Sequence, residues 1–236
     1  MPVCTLLTDF GDRDYYVGAV KGTLLRLAPG ATLVDISHQV AVGDVGEAAF
    51  LLEAAAPAFP LGTVHLAVVD PGVGSSRRVL AARADSSLYV APDNGLLTPI
   101  LQRAQVVAVE REDLFLPGPG HTFHGRDRFA PAAAALLCGE PLEALGKPIE
   151  DAIELPRRLP ERSSGTLTGE VLHVDGRVEL KADVAGEGQA AALEGPGDLC
   201  AACQPALAQE VRLAAGRKVD ERCQPDAQAP GVAFRL

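Results

Sequence analysis

The sequence predicts an α/β protein: a mostly parallel sheet covered by helices, followed by a smaller β-rich domain. Three observations carry this. Over roughly the first 150 residues, short runs rich in β-formers alternate with segments of helical period. Those runs are apolar at successive positions, as strands buried on both faces require. After a proline-containing linker the period drops to near two.

Each element has a local reason. VCTLLTDF is a short apolar strand. DYYVGAVKGTLLRLAP follows with apolar residues at helical spacing (Val17, Val20, Leu24, Leu27), and Pro29-Gly30 stops it. ATLVDIS is a second strand. The helix VGDVGEAAFLLEAAAPAF has Asp44 as its N-cap and ends at Pro57 to Pro60. GTVHLAVVD is a third strand, and VLAARA with SLYVAPD forms a strand pair. GLLTPILQRA is a short helix, QVVAVE a strand, and DRFAPAAAALLCG a last helix beginning near Phe129, with Pro131 suited to its first turn. The linker LGKPIEDAIELPRRLPERSSG separates a domain of residues 1–155 from one of 160–236. In the latter, TLTGEVLHVDGRVELKADV carries Asp175-Gly176 between alternating runs, a hairpin signal. Beyond Ala185 the composition supports two further apolar runs at most.

The bulk numbers narrow the function. With 236 residues, 47% of them hydrophobic and 22% charged, the chain can bury a sizeable core. A net charge of −10 argues against nucleic acid as a partner, since that needs a basic face. Five scattered cysteines do not make a disulfide scaffold, and Cys200 to Cys203 lacks the second pair a zinc site needs. No apolar run reaches the roughly 18 residues of a membrane span, and the N-terminus is not a signal peptide. A cytoplasmic, membrane-free protein is expected.

Chemistry concentrates at strand ends, where open α/β sheets bind ligands. Asp9, Asp70 and Asp93 each follow a strand. One such aspartate is more often a cap or turn residue; three on one edge suggest a site. Gly72 and Gly74 permit close backbone approach after Asp70, and Arg77 returns near enough to share its cavity. His124 precedes a helix, whose N-terminus disfavours imidazolium and keeps a histidine neutral. The tempting alternatives fail: the DFG at Asp9 lacks every other kinase element, and no phosphate loop, GxGxxG or nucleophile elbow is present.

Four stretches in this order, LLTDFGDRDYYVGAVKG, VVDPGVGSSRR, APDNGLLT and TFHGRDRFAP, resemble the S-adenosyl-L-methionine hydroxide adenosyltransferases, the SAM hydrolases. These are relatives of the fluorinating and chlorinating enzymes acting on the same substrate. The resemblance covers about residues 3 to 150. It implies an N-terminal α/β/α sandwich, a C-terminal β-barrel-like domain, and a homotrimer with sites between subunits. It implies hydrolysis of S-adenosyl-L-methionine to adenosine and L-methionine by in-line attack of water or hydroxide on the ribose 5′ carbon, with no cofactor and no metal. The family's catalytic set falls on Asp70, Arg77 and His124. Asp9 falls where the ribose diol is held, Asp14 at the methionine end, Asn94 beside the substrate and Phe123 near the adenine. The fluorinating enzymes carry a hydroxyl residue where this chain has Gly125 and a tyrosine where it has His124, so water is the expected nucleophile.

The chain also departs from the family. The aromatic residue usual near Gly43 is missing. The second-domain motif that grips the methionine end keeps Asp175 but has Glu179 and Asp183 where asparagines are usual. Two other readings therefore stand beside hydrolysis. One is a weakly active or non-catalytic protein that binds adenosine or S-adenosyl-L-methionine; the other is a metal-dependent hydrolase with Asp9, Asp14, Asp70 and His124 as ligands. Arg77 argues against the second, because a cation beside a metal is unfavourable.

Overall fold

Strand β1 (Val3–Thr8) is where the order of the strands reverses, and the placement of the site follows from it. The computed structural model describes residues 1–117 and 123–156 in full, and beyond them the backbone of six strands between residues 161 and 234. The chain divides into two units, Met1–Leu155 and Pro156–Leu236.

The first unit is mixed α/β. Its elements are β1, α1 (Tyr16–Leu27), β2 (Thr32–Ser37), α2 (Val45–Ala55), β3 (Val64–Val68), β4 (Val79–Ala84), β5 (Ser87–Pro92), α3 (Thr98–Leu101), β6 (Gln105–Ala108) and α4 (Ala130–Leu137). The sheet order is β2-β1-β3-β5-β4-β6. β2, β1, β3 and β5 are parallel, and β4 runs antiparallel to both β5 and β6.

Alternate residues of each strand feed two cores. Cys4, Leu6, Val64, Leu66, Val68 and Ala81 pack with Val20, Leu24 and Phe129 on one side. Leu7, Ala67, Val69, Leu80 and Ala82 pack with Ala48, Leu52 and Ile100 on the other. Successive side chains point to opposite faces, so a strand covered on both sides must be apolar throughout, which is the pattern the sequence shows.

Two local expectations are met in detail and one is amended. Asp44 caps α2 by accepting from the Glu47 N–H at 2.8 Å, while Glu47 Oε2 accepts from the Ala41 N–H. Pro131 sits in the first turn of α4. On α1, Val17, Val20, Thr23 and Leu24 are buried but Leu27 is exposed; the buried row continues into Ala28.

β1 lies between β2, to which it connects through α1, and β3, reached later through α2 on the opposite face. Connections leaving its two sides diverge there. That switch point opens a crevice at the carboxyl ends of β1 and β3.

The second unit is all strand where it is described: β7 (Glu161–Ser163), β8 (Thr166–Val174), β9 (Glu179–Ala185), β10 (Gln189–Glu194), β11 (Glu210–Ala214) and β12 (Val232–Phe234). The order is β10-β9-β8-β11-β12, with β7 on β8. β8 and β9 pair antiparallel, matching the alternating pattern on either side of Asp175-Gly176, although residues 175–178 lie outside the described set. β10, β11 and β12 make three strands where composition suggested two.

One row across the first sheet makes a testable demand. Thr5, His65 and Tyr89 are register neighbours on β1, β3 and β5. His65 is fully buried; its Nδ1 lies 2.8 Å from Thr5 Oγ1, and its ring stacks on Tyr89 at 4.9 Å. Burial pushes the His65 pKa down to about 4. A histidine depressed on folding stabilises fully above its unfolded pKa of ~6.5 and loses that contribution as pH falls toward the folded value. At pH 4.5 the loss is about 2 kcal/mol by this linkage. Denaturant unfolding of wild type and His65→Gln should show their stability difference narrowing by roughly that amount between pH 7 and 4.5. A pH-independent difference would mean that His65 is not buried neutral.

Candidate active site

Asp9 and Asp70 emerge from the crevice because they follow β1 and β3 almost immediately. The two loops are tied together. Asp9 Oδ2 accepts from the Gly43 N–H at 2.9 Å, and a Cβ built on Gly43 would lie 3.6 Å from the Pro71 Cβ. Gly43 has φ +76, a conformation an L side chain rarely adopts, which accounts for a glycine beside Asp9.

From Asp70 to Arg77 the chain is held by short-range bonds: Val73 N–H to the Asp70 carbonyl, Ser75 N–H and Ser75 Oγ to the Gly72 carbonyl, and Arg77 N–H to Ser75 Oγ. Of the two glycines, only Gly74 uses the left-handed region, at φ +84. The loop returns the Arg77 guanidinium onto Asp70, where Nε donates to Oδ1 at 2.5 Å and Nη2 donates to Oδ2. Nη2 also lies 2.9 Å from His124 Nδ1. Beneath, the buried Phe129 ring faces the guanidinium carbon at 4.9 Å. The Asp70 and Arg77 side chains are only 6% and 7% exposed, so the pair is largely withdrawn from water. Arg77 Nη1 is buried and has no hydrogen-bond partner among the described residues.

This arrangement assigns the histidine tautomer. A guanidinium can only donate, so His124 Nδ1 accepts and the ring proton sits on Nε2. The His124 pKa is lowered, first by burial and then by the charges of Arg77 and Arg128, against the opposing pull of Asp70 and Asp127. The sequence attributed neutrality to a helix N-terminus. In the structure His124 stands at the N-cap of a π-helical turn over Gly125–Phe129 that runs directly into α4 at Ala130. It does lie at a helical N-terminus, and burial and the flanking arginines add to that effect. The site thus offers two kinds of donor, an unpaired guanidinium N–H and an imidazole Nε2–H. Together they suit an oxygen carrying negative charge.

The remaining expected residues divide. Phe123 joins an aromatic cluster: it meets Tyr16 edge-on at 5.0 Å and Phe10 at 6.2 Å, with Arg126 over its ring at 4.9 Å. Tyr15, stacked on Tyr16 at 4.7 Å, completes the group. Phe10, Tyr15 and Tyr16 were not singled out from the sequence, although "DFGDRDYY" places all three within seven residues of Asp9. Asp14 is exposed on the turn into α1. Asn94 has both amide ends on main chain: Nδ2 donates to the Val69 carbonyl and Oδ1 accepts from the Leu96 N–H. Asp93 is spent on Arg78 and the Ile153 N–H, so it does not join Asp9 and Asp70. Among the described residues no group of three or more His, Cys, Asp or Glu side chains is placed to share a metal ion. Asp175, and the side chain of Glu179 at the start of β9, lie outside the described residues.

Residues 4–146 match the family model for the SAM hydroxide adenosyltransferase N-terminal domain. A protein of Salinispora arenicola named (R)-S-adenosyl-L-methionine hydrolase is 42% identical over 189 residues, covering 77% of this chain and 72% of the relative. One of the same name from Thermus thermophilus is 46% identical over 171 residues, 67% of each chain. The crystal structure of a conserved Thermotoga maritima protein superposes with a TM-score of 0.72 at 38% identity, over 76% of this chain and 70% of that one.

Gly125 generates a steric prediction. A Cβ there would lie 3.0 and 3.2 Å from the Phe10 ring. Gly125→Ala should therefore cost roughly 1–3 kcal/mol through overpacking. Phe10→Leu in the same chain should restore part of that loss. Thermal unfolding of the two single variants and the double variant tests this, and strictly additive effects would refute the contact.

Proposed function

Because the chain belongs to the SAM hydroxide adenosyltransferase family, we propose that it hydrolyses S-adenosyl-L-methionine to adenosine and L-methionine. The observation that carries this reading is the buried Arg77 guanidinium, bonded to Asp70 and His124 with Nη1 left over.

The substrate is a sulfonium, so its leaving thioether departs neutral and needs no acid. The reaction needs an oxygen nucleophile in line behind the 5′ carbon. Arg77 Nη1 and His124 Nε2–H hold that oxygen and stabilise its negative charge, which favours hydroxide over water in the pocket. The oxygen bonds to the 5′ carbon, the carbon–sulfur bond breaks, and its electron pair returns to sulfur. The water proton leaves to solvent, because the tautomer set by Arg77 leaves His124 no free nitrogen to take it. Asp70 keeps the guanidinium in place. Pre-ordering the reactants can supply about 7–11 kcal/mol of the barrier in well-oriented reactions.

Asp9 takes the ribose diol and Phe123 lies along the adenine, with Gly125 beside them letting the Phe10 ring pack close. Asp14, Asp175 and Glu179 belong to the methionine end. The second unit is read as barrel-like and the assembly as a homotrimer with sites between subunits. Exposed apolar side chains at Tyr15, Val42 and Val73, on the loops that carry the site, support a covering partner. Sedimentation of the purified protein tests the trimer.

Incubation with S-adenosyl-L-methionine, with and without chelator, should release adenosine equally well. Arg77→Ala and His124→Ala should lose most of that release while binding adenosine nearly as well as wild type by calorimetry. His124→Gln, which keeps a donor, should retain more activity than His124→Ala. Joint loss of binding and rate would contradict this division of roles. Protonating His124 would turn its Nδ1 into a donor facing Arg77, so kcat should fall only on the acid side of the ordinary histidine range of about 6.5. Asp9→Ala should weaken adenosine by at least about tenfold, since charge-assisted hydrogen bonds contribute ~1.5–3 kcal/mol each. 2′-Deoxyadenosine should lose less, and equal losses would remove Asp9 from the diol.

A further inference from the structure

In the sheet order β3-β5-β4, the loop from Asp70 to Arg77 has to pass over the carboxyl end of β5. What β5 leaves at that point is Asp93–Asn94. Asn94 Nδ2 donates at 2.9 Å to the carbonyl of Val69, the residue just before Asp70. Asp93 Oδ2 accepts at 2.7 Å from Nε of Arg78, the residue just after Arg77, and the Asp93 N–H donates to the Arg78 carbonyl at 3.1 Å. Two consecutive residues therefore grip both flanks of one loop.

The grip is itself held. Asn94 Oδ1 accepts from the Leu96 N–H, which fixes the amide orientation, and Gly95 turns the chain at φ +96. Asp93 is buried, and its second oxygen accepts from the Ile153 N–H at 2.8 Å. Arg78 is steadied from outside by Asp151, through its carboxylate at 2.8 Å and its carbonyl at 3.0 Å. Residues 71–76 have no comparable anchor among the described residues: most are exposed, and the hydrogen bonds of Gly72, Val73 and Ser75 stay within the loop.

We infer that Asp93 and Asn94 form a two-sided clamp on the 70–77 loop and are positioning residues that act through Asp70 and Arg77. This rests on the reading of Asp70, Arg77 and His124 as the reacting group. It assigns Asp93 a part in the reaction, and it has Asn94 work from behind the site. A misplacement of about 1 Å in a reacting group can cost on the order of 100-fold in rate, so the clamp matters more to kcat than to binding.

Two variants test it. Asp93→Asn keeps the shape but turns one accepting oxygen into a donor facing Arg78 or the Ile153 N–H. Asn94→Ala removes the donor to Val69. Both should lower kcat by about tenfold or more while KM and adenosine affinity move less than about threefold.

A second readout needs no turnover: the NMR titration of the His124 imidazole, assigned by its loss in His124→Gln. The charged groups around that ring are Asp70, Arg77, Arg128 and Asp127. Release of Arg77 raises the pH at which His124 titrates. Removing a carboxylate by Asp93→Asn would, through charge alone, lower it, so the two causes have opposite signs. Upward shifts in both variants support the clamp. An unmoved or downward titration in either folded variant, or a kcat within about twofold of wild type, overturns it. If Asp93→Asn does not fold, Arg78→Gln breaks the same pair from its more exposed end and is read by kcat. If the wild type releases no adenosine, the functional reading fails, while the titration still decides the clamp.

Discussion

A single guanidinium organises this site. Arg77 spends Nε and Nη2 on Asp70, shares Nη2 with His124 Nδ1, and rests on the Phe129 ring. Its other nitrogen is left buried without a partner among the described residues. A buried donor without an acceptor costs about 1–3 kcal/mol, a cost the fold carries only where something else is gained. Here that donor belongs to the same guanidinium whose Nη2 fixes the histidine proton on Nε2. The tautomer and the spare donor follow from where that one side chain lies, and its charge adds to the burial that lowers the histidine pKa.

The sheet is what allows Arg77 to lie there. β1 sits between β2 and β3, with connections leaving on opposite faces, so the loops after β1 and β3 part and leave room. Asp9 and Asp70 enter that room from neighbouring strands, and Gly43 links the two loops. Arg77 comes back at the start of β4, two places away in the sheet, so its loop spans the end of β5. Few bonds tie the loop to the sheet below it, and the contacts of Asp93 and Asn94 at its two flanks are among them.

Much of this was legible because its causes are local. Runs apolar at successive positions marked strands covered on both faces, Asp44 and Pro131 marked helix starts, and four long motifs in register marked the family. What was not legible involves residues far apart in sequence. Asp93 looked like a third acid of the site, and only its pairing with Arg78 and Ile153 shows otherwise. The aromatic group of Phe10, Tyr15, Tyr16 and Phe123 depends on contact across more than a hundred residues. His124 was placed at a helix N-terminus from its local sequence; the burial and the Arg77 charge that also lower its pKa come from residues far away in the chain.

The sequence by itself determined the elements, their order and the residue types able to do the chemistry. Spacing, period and caps act between residues a few positions apart, and they do not depend on the rest of the fold. The tertiary structure alone decided which of those residues meet. It brought Arg77 between Asp70 and His124, set the tautomer of the histidine, and turned Asp93 toward the Arg78 guanidinium and Asn94 toward the Val69 carbonyl at the two flanks of the loop. Hydrogen bonds are directional over about 3 Å, and only the packed sheet brings groups from β1, β3, β5 and the turn before α4 within that reach.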